Sequence, residues 1–278
     1  MTVSAATVPR ERGGMTVATT VGTEMAEVSG AQAWPVGAAD GVLGAAVWLV
    51  GVAAGVLGAA AAPVGTAAGM AVGTAIAGTA GVGAGAVARW LLARLRRGTR
   101  VRAPACELAN GGLWAVTGCL WGAGRLPSAW LPVMLGLGWL GVAAGVVDIK
   151  HRRLPNALTA LAACFSPLGL LPLGSGAFGR GLLGGLAAVI SYGVVHLLRP
   201  NALGAGDVKL AAPLGAVLGA ASWAALAAAA VLAAVLTGIV GLVVACARRV
   251  PPGAGVPHGP SMLGAAWLVT LVAAGGGG

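Results

Sequence analysis

Long stretches of small and aliphatic residues, broken at intervals by arginines, glycines and prolines, set the pattern of this chain. A membrane-spanning helix needs about 20 mostly apolar residues, or somewhat fewer when flanking side chains reach the interface. That measure predicts nine segments, roughly 41–62, 64–88, 107–124, 129–147, 156–174, 178–198, 208–221, 223–246 and 260–274. The seventh and ninth are short, and the first two, divided by Pro63, are rich in Gly and Ala. Gly65, Gly69 and Gly73 recur every fourth residue, which puts small residues on one helix face for close helix contact. Residues 1–40 show no helical or strand period and no basic segment leading into a hydrophobic core. They read as a flexible tail without a cleavable signal peptide, in which Met15 and Met25 are alternative starts. The expected fold class is all-α, a polytopic bundle of about seven to nine membrane helices. Its parts are the tail over 1–40, amino-terminal helices with a basic exit over 41–100, and a membrane domain over 101–274.

Composition supports this pattern. A chain 58% hydrophobic and 9% charged, with mean hydropathy +0.91, has more apolar surface than a globule of 278 residues can bury. A lipid bilayer is therefore the expected solvent. The net charge of +10 does not indicate nucleic acid, because the arginines form short clusters between apolar runs and not a polar face interleaved with aromatics. They report orientation instead. Arg89, Arg94, Arg96, Arg97, Arg100, Arg102, Lys150, Arg152, Arg153, Arg199, Lys209, Arg248 and Arg249 fall on one side, and Arg125 and Arg180 on the other, so the rich side is expected in the cytoplasm. Cys106, Cys119, Cys164 and Cys246 form no CxxC pair and predict neither a metal site nor a disulfide framework. Tryptophans such as Trp90, Trp130 and Trp223 fall near segment ends and read as interfacial anchors.

From residue 41 onward there are three acids, Glu107, Asp148 and Asp207. Carboxylates near hydrocarbon are costly, and those present usually face the bundle interior and serve a purpose. Taken singly, each has a structural reading. Asp207, in LGAGDVKL, looks like a helix cap after a glycine turn, Asp148 like a helix-end acid balanced by Lys150, and Glu107 like a helix-start acid favoured by the dipole. The predicted topology nevertheless brings Asp148 and Asp207 to the same membrane boundary. Two carboxylates held together resist ionising at once, so one holds a proton while the other acts as base, which is the chemistry of an aspartic protease.

Two motifs carry a family resemblance. DIKHRRLPNALT, residues 148–159, resembles the first aspartate motif of type IV prepilin peptidases, and LGAGDVKL, residues 203–210, is similar to their Gly-x-Gly-Asp-x-Lys element. VPHGPSMLG, residues 256–264, resembles the family's Pro-Phe-Gly-Pro element with His258 in the Phe position, and RAPACELANGGLW, residues 102–114, resembles the segment opening the helix before the core. The resemblance implies a membrane aspartic endopeptidase with Asp148 and Asp207 as the catalytic pair, 101–274 as the catalytic domain and no cofactor. It further implies a prepilin or pseudopilin substrate cut at the cytoplasmic face of the cell membrane, with pilus or secretion machinery as possible partners. Full-length members often carry a cysteine-rich, zinc-site-like domain, and members with it commonly methylate the new amino terminus. The loop 97–104 is too short for that domain, so this short form implies cleavage and leaves methylation without support.

Supporting roles follow for other residues. Gly204 and Gly206 are expected to let substrate backbone approach Asp207 and to allow a positive φ. Lys209 is expected to favour ionised Asp207 or to anchor the helix at the interface, and Pro155 and Asn156 to shape the turn and cap the next helix. Glu107 is a candidate third acid. His151, His196 and His258 lack a paired carboxylate spacing, and Ser166 and Ser191 lack a base. The rival reading is a small proton-coupled transporter using Asp148 and Asp207, which predicts acids near the midplane and two related halves. A noncatalytic scaffold leaves the acid pair unexplained, and a presenilin-like protease would need a Tyr-Asp motif where Val147 precedes Asp148.

Overall fold

A computed structural model describes residues 64–95, 98–151, 154–200, 203–247 and 257–276. The tail expected over 1–40 and the segment expected over 41–62 lie outside the described residues. Among the described residues the chain forms eight α-helices and no strand: α1 (Ala67–Arg94), α2 (Ala105–Gly122), α3 (Leu131–His151), α4 (Asn156–Leu170), α5 (Ser175–Leu198), α6 (Ala205–Ala221), α7 (Trp223–Cys246) and α8 (Gly259–Gly275). Short 3₁₀ turns, Ser128–Trp130 and Leu171–Leu173, precede α3 and extend α4. The architecture is an all-α bundle.

Five of these helices are long and apolar enough to cross a membrane: α1, α3 with its leading turn, α4 with its trailing turn, α5 and α7. Their outward faces agree with that reading. Leu182, Leu183, Leu186 and Ile190 of α5 and Val231, Val235, Leu242 and Val243 of α7 are all more than half exposed or close to it. In water such surfaces would aggregate; in lipid they are solvated, and the helix is the form that satisfies its own backbone there. α6 differs, since it is buried from Leu210 to Ala220 apart from Ala212. At about 1.5 Å rise per residue its length falls short of the hydrocarbon core, and α5, with α4, α8 and α7, packs around it.

Successive helices run antiparallel, which gives the bundle two ends. The finishing ends of α1, α3, α5 and α7 and the starts of α2, α4, α6 and α8 share one of them. Lys150 at the end of α3 donates through Nζ to the carbonyl of Arg100 before α2, at 3.0 Å. At the opposite end, a Cβ placed on Gly275 would lie 3.0 Å from the carbonyl oxygen of Arg125. Arg89, Arg94, Arg100, Arg102, Lys150, Arg199 and Lys209 therefore gather at the first end, with Arg125 and Arg180 at the second.

Two helix pairs depend on glycine. On α1, Gly69 and Gly73 lie directly against Gly122 and Gly118 of α2, as the four-residue spacing predicted. Gly81 and Gly85 continue the seam against Gly111 and Cys106. Gly65 is not part of it: it precedes the helix with φ +88° and donates its N–H to the Gly122 carbonyl at 2.8 Å. α5 and α6 repeat the device, where a Cβ on Gly184 would lie 2.6 Å from the Gly215 carbonyl. Small residues let backbones approach where lipid offers no hydrophobic drive for association. Gly118→Val is accordingly expected to push α1 from α2, at a cost of roughly 1–3 kcal/mol or more. Thermal unfolding in detergent should show a lowered midpoint, while an unchanged midpoint would mean that the seam is not tightly packed.

Tryptophan was only partly legible. Trp90 and Trp223 are exposed near helix ends, as anchors should be, but Trp114, Trp121 and Trp139 are at most 3% exposed. Trp114 donates its indole N–H to the Leu135 carbonyl at 3.0 Å and Trp139 donates to that of Ala84 at 3.1 Å, tying α1, α2 and α3 together. Hydropathy locates these residues on helices but says nothing of which face turns inward.

Candidate active site

Asp148 lies in the last turn of α3 and is only 5% exposed. Asp207 lies in the first turn of α6, half-buried, and its Oδ2 accepts from the backbone N–H of Gly204 at 3.3 Å. Helix α8 begins between them. A Cβ placed on Gly259 would lie 2.7 Å from Asp148 Oδ2 and 3.6 Å from Asp207 Oδ1, so both carboxylates face one point at the start of α8. The Gly259 N–H is directed at the Asp148 carboxylate, yet Oδ2 closes no hydrogen bond within the described fold. The amino ends of α6 and α8, with their unpaired N–H groups, both point at this pair and offset the negative charge gathered there. A buried carboxylate oxygen left without a partner inside the fold is suited to receive one from a bound molecule.

His258 and Tyr192 border the pair, and Thr237 holds His258. His258, directly before α8, approaches Thr237 of α7 with Nδ1 2.6 Å from Oγ1. Its ring packs on Tyr192 of α5 with centroids 6.0 Å apart and planes inclined by 31°. Below them runs an apolar groove between α5, α6, α7 and α8, lined by Ala188, Tyr192, Leu214, Leu226, Ala233 and Met262. His258 stood in the sequence with no paired carboxylate nearby, because its neighbours come from distant helices. No sequence motif points to Tyr192, although it is the one tyrosine of the chain.

The remaining predicted residues fall in several places. Gly204 and Gly206 flank Asp207, but neither takes a positive φ: Gly204 has φ −73° and Gly206 is already helical. The helix starts at Ala205, earlier than hydropathy indicated, so the turn needs no left-handed residue. Pro155 is the N-cap of α4, and Asn156 gives that helix no side-chain cap. The Asn156 Oδ1 instead accepts from Lys209 Nζ at 3.1 Å, joining the starts of α4 and α6. Among the described residues Lys209 makes no ion pair with Asp207, and Arg89–Glu107 is the one ion pair, with Nε to Oε1 at 2.6 Å. Glu107 thus links α2 to α1, and no contact brings it to the aspartates. His196 donates through Nδ1 to the Leu203 carbonyl, 2.7 Å away, and holds the turn before α6 to the end of α5.

Residues 134–243, from α3 through most of α7, match the model of the type IV leader peptidase family. This segment belongs to that family. The leader peptidase segment contains both aspartates, the glycine turn and Lys209, whereas His258 and Gly259 lie beyond it and are brought back to it by the fold. Its family carries a leader peptidase activity, and the apolar helices give a membrane setting. No curated protein and no solved structure matches the chain.

Proposed function

We propose that this chain is an aspartic endopeptidase that removes the leader of type IV prepilins or pseudopilins, with Asp148 and Asp207 as its catalytic pair. The observation carrying this reading is the convergence of the two carboxylates on the amino end of α8, at the end of the bundle where the basic residues gather. By the positive-inside bias that end is cytoplasmic, so a substrate with a basic leader in the cytoplasm and an apolar helix in the bilayer presents its junction there.

The pair holds one proton between its two carboxylates and titrates as a unit. The ionised member takes a proton from water as the water oxygen bonds to the scissile carbonyl carbon. The protonated member gives its proton to the carbonyl oxygen. As the tetrahedral species collapses, the C–N bond breaks, the leaving nitrogen receives a proton from the pair, and one hydroxyl of the tetrahedral carbon returns its proton to the pair as the carbonyl re-forms, which restores the starting state. Gly204 and Gly206 leave room beside the carboxylates for substrate backbone, and Gly259 lets both carboxylates approach the start of α8. Lys209, Asn156 and Pro155 hold the starts of α4 and α6 in place. The transporter reading wants acids at mid-membrane, and these stand at helix ends.

The test is leader removal from a prepilin by the purified chain in nanodiscs, followed by gel shift and by mass of the mature amino terminus. Cleavage at the leader junction without a methyl gain is expected. Absence of cleavage for a panel of prepilins and pseudopilins would overturn the reading, and a gain of one methyl would overturn the restriction to cleavage.

A further inference from the structure

His258 has a defined tautomer. The Thr237 hydroxyl donates its single hydrogen to the Ala233 carbonyl at 2.8 Å, so its oxygen is left to accept from His258 Nδ1–H at 2.6 Å. A neutral imidazole protonated on Nδ1 has its lone pair on Nε2, and that nitrogen is where a second proton binds. The ring is held from two helices: Thr237 of α7 holds its edge and Tyr192 of α5 packs tilted against it. The next residue, Gly259, is the one against which both carboxylates converge.

We propose that His258 is a positioning residue of the aspartate pair, which, held by Thr237 and Tyr192, sets the charge carried by Asp148 through its own protonation on Nε2. The inference rests on the peptidase reading and adds to it a third titrating group. The titratable groups around His258 are Asp148 on α3, Asp207 on α6 and Tyr192 on α5; α7 contributes Thr237, which does not titrate. No lysine or arginine among the described residues forms an ion pair with either aspartate. A proton arriving at His258 therefore adds a positive charge that acts on Asp148.

The sign of the effect follows. Burial lowers the pKa of His258 below its ordinary value, and the charge of Asp148 opposes that fall. At neutral pH the imidazole is neutral; in mild acid it gains a proton. The cation then favours the ionised carboxylate beside it, so the pair keeps its single working proton to lower pH than it would alone.

Two variants and one direct titration test this. His258→Phe removes both the charge and the bond to Thr237, while His258→Asn keeps a donor for Thr237 and removes only the charge. In both, the acid limb of kcat/KM for leader cleavage is expected to move to higher pH by about one unit. Profiles that superimpose on that of the parent chain would overturn the proposal. The second readout needs no cleavage: histidine NMR in micelles on a chain carrying His151→Gln and His196→Gln, in which His258 is the remaining histidine. Its midpoint is expected below about 6.5 and lower again when Asp148→Asn is added. A midpoint indifferent to Asp148→Asn overturns the coupling even where no substrate is cut, which separates this failure from that of the peptidase reading.

Discussion

Asp148→Asn and Asp207→Asn are each expected to reduce leader removal by about 10⁴-fold or more, and the double variant to lose little beyond either single one. Asparagine keeps the shape and an oxygen acceptor, so Asp207→Asn still offers Oδ1 to the Gly204 N–H now bonded at 3.3 Å. What it removes is the exchangeable proton, and a pair that works by passing one proton fails when either member cannot hold it. Stability should move the other way. Asp148 is a buried acid with an unpartnered oxygen, and neutralising it relieves a desolvation cost, so the thermal midpoint of Asp148→Asn is expected to equal or exceed that of the parent. The combination of lost cleavage with retained stability identifies a catalytic role. A purely structural acid would give retained cleavage or a fallen midpoint, and cleavage surviving either substitution removes the aspartic mechanism.

Much of this arrangement was legible before the structure, for identifiable reasons. Acids are so scarce beyond residue 40 that Asp148 and Asp207 stand out, and hydropathy is strong enough to assign the helices whose ends they occupy. The glycine spacing on α1 signalled a close helix seam, and the seam is there. Less legible was everything that depends on helix faces. Lys209 stands two residues from Asp207 in sequence yet reaches across to Asn156, because residues two apart on a helix point in different directions. Glu107 was exposed to the same ambiguity, and its partner Arg89 lies on a helix that packs against its own. His258 and Thr237 are 21 residues apart, and Tyr192 belongs to a third helix, so no local pattern joins them. Gly259 stood inside a recognised element as one glycine among 49, and its place between two carboxylates depends on how α8 packs against α3.

That place makes Gly259→Ala the second large effect. A methyl there would sit 2.7 Å from Asp148 Oδ2 and 3.3 Å from its Cγ, and real Cβ atoms do not approach so closely. Something must shift. The neighbour is a short side chain with two torsions, buried in the last turn of α3, so relief comes from rotating the carboxylate away or from moving α8 outward. Either motion widens the gap to Asp207, whose Oδ1 lies 3.6 Å from the same point. A misplacement of about 1 Å at reacting groups costs on the order of 10²-fold, so kcat for leader cleavage is expected to fall by roughly that factor. KM should change little, because the methyl lies at the carboxylates and not along the groove lined by Leu226 and Met262. Gly264→Ala supplies the control in the same helix: a Cβ there meets nothing within 4 Å, so cleavage and stability should match the parent. Wild-type kcat in Gly259→Ala would mean that the two carboxylates need not be held at this separation, and the pair would then lose its claim to shared proton chemistry.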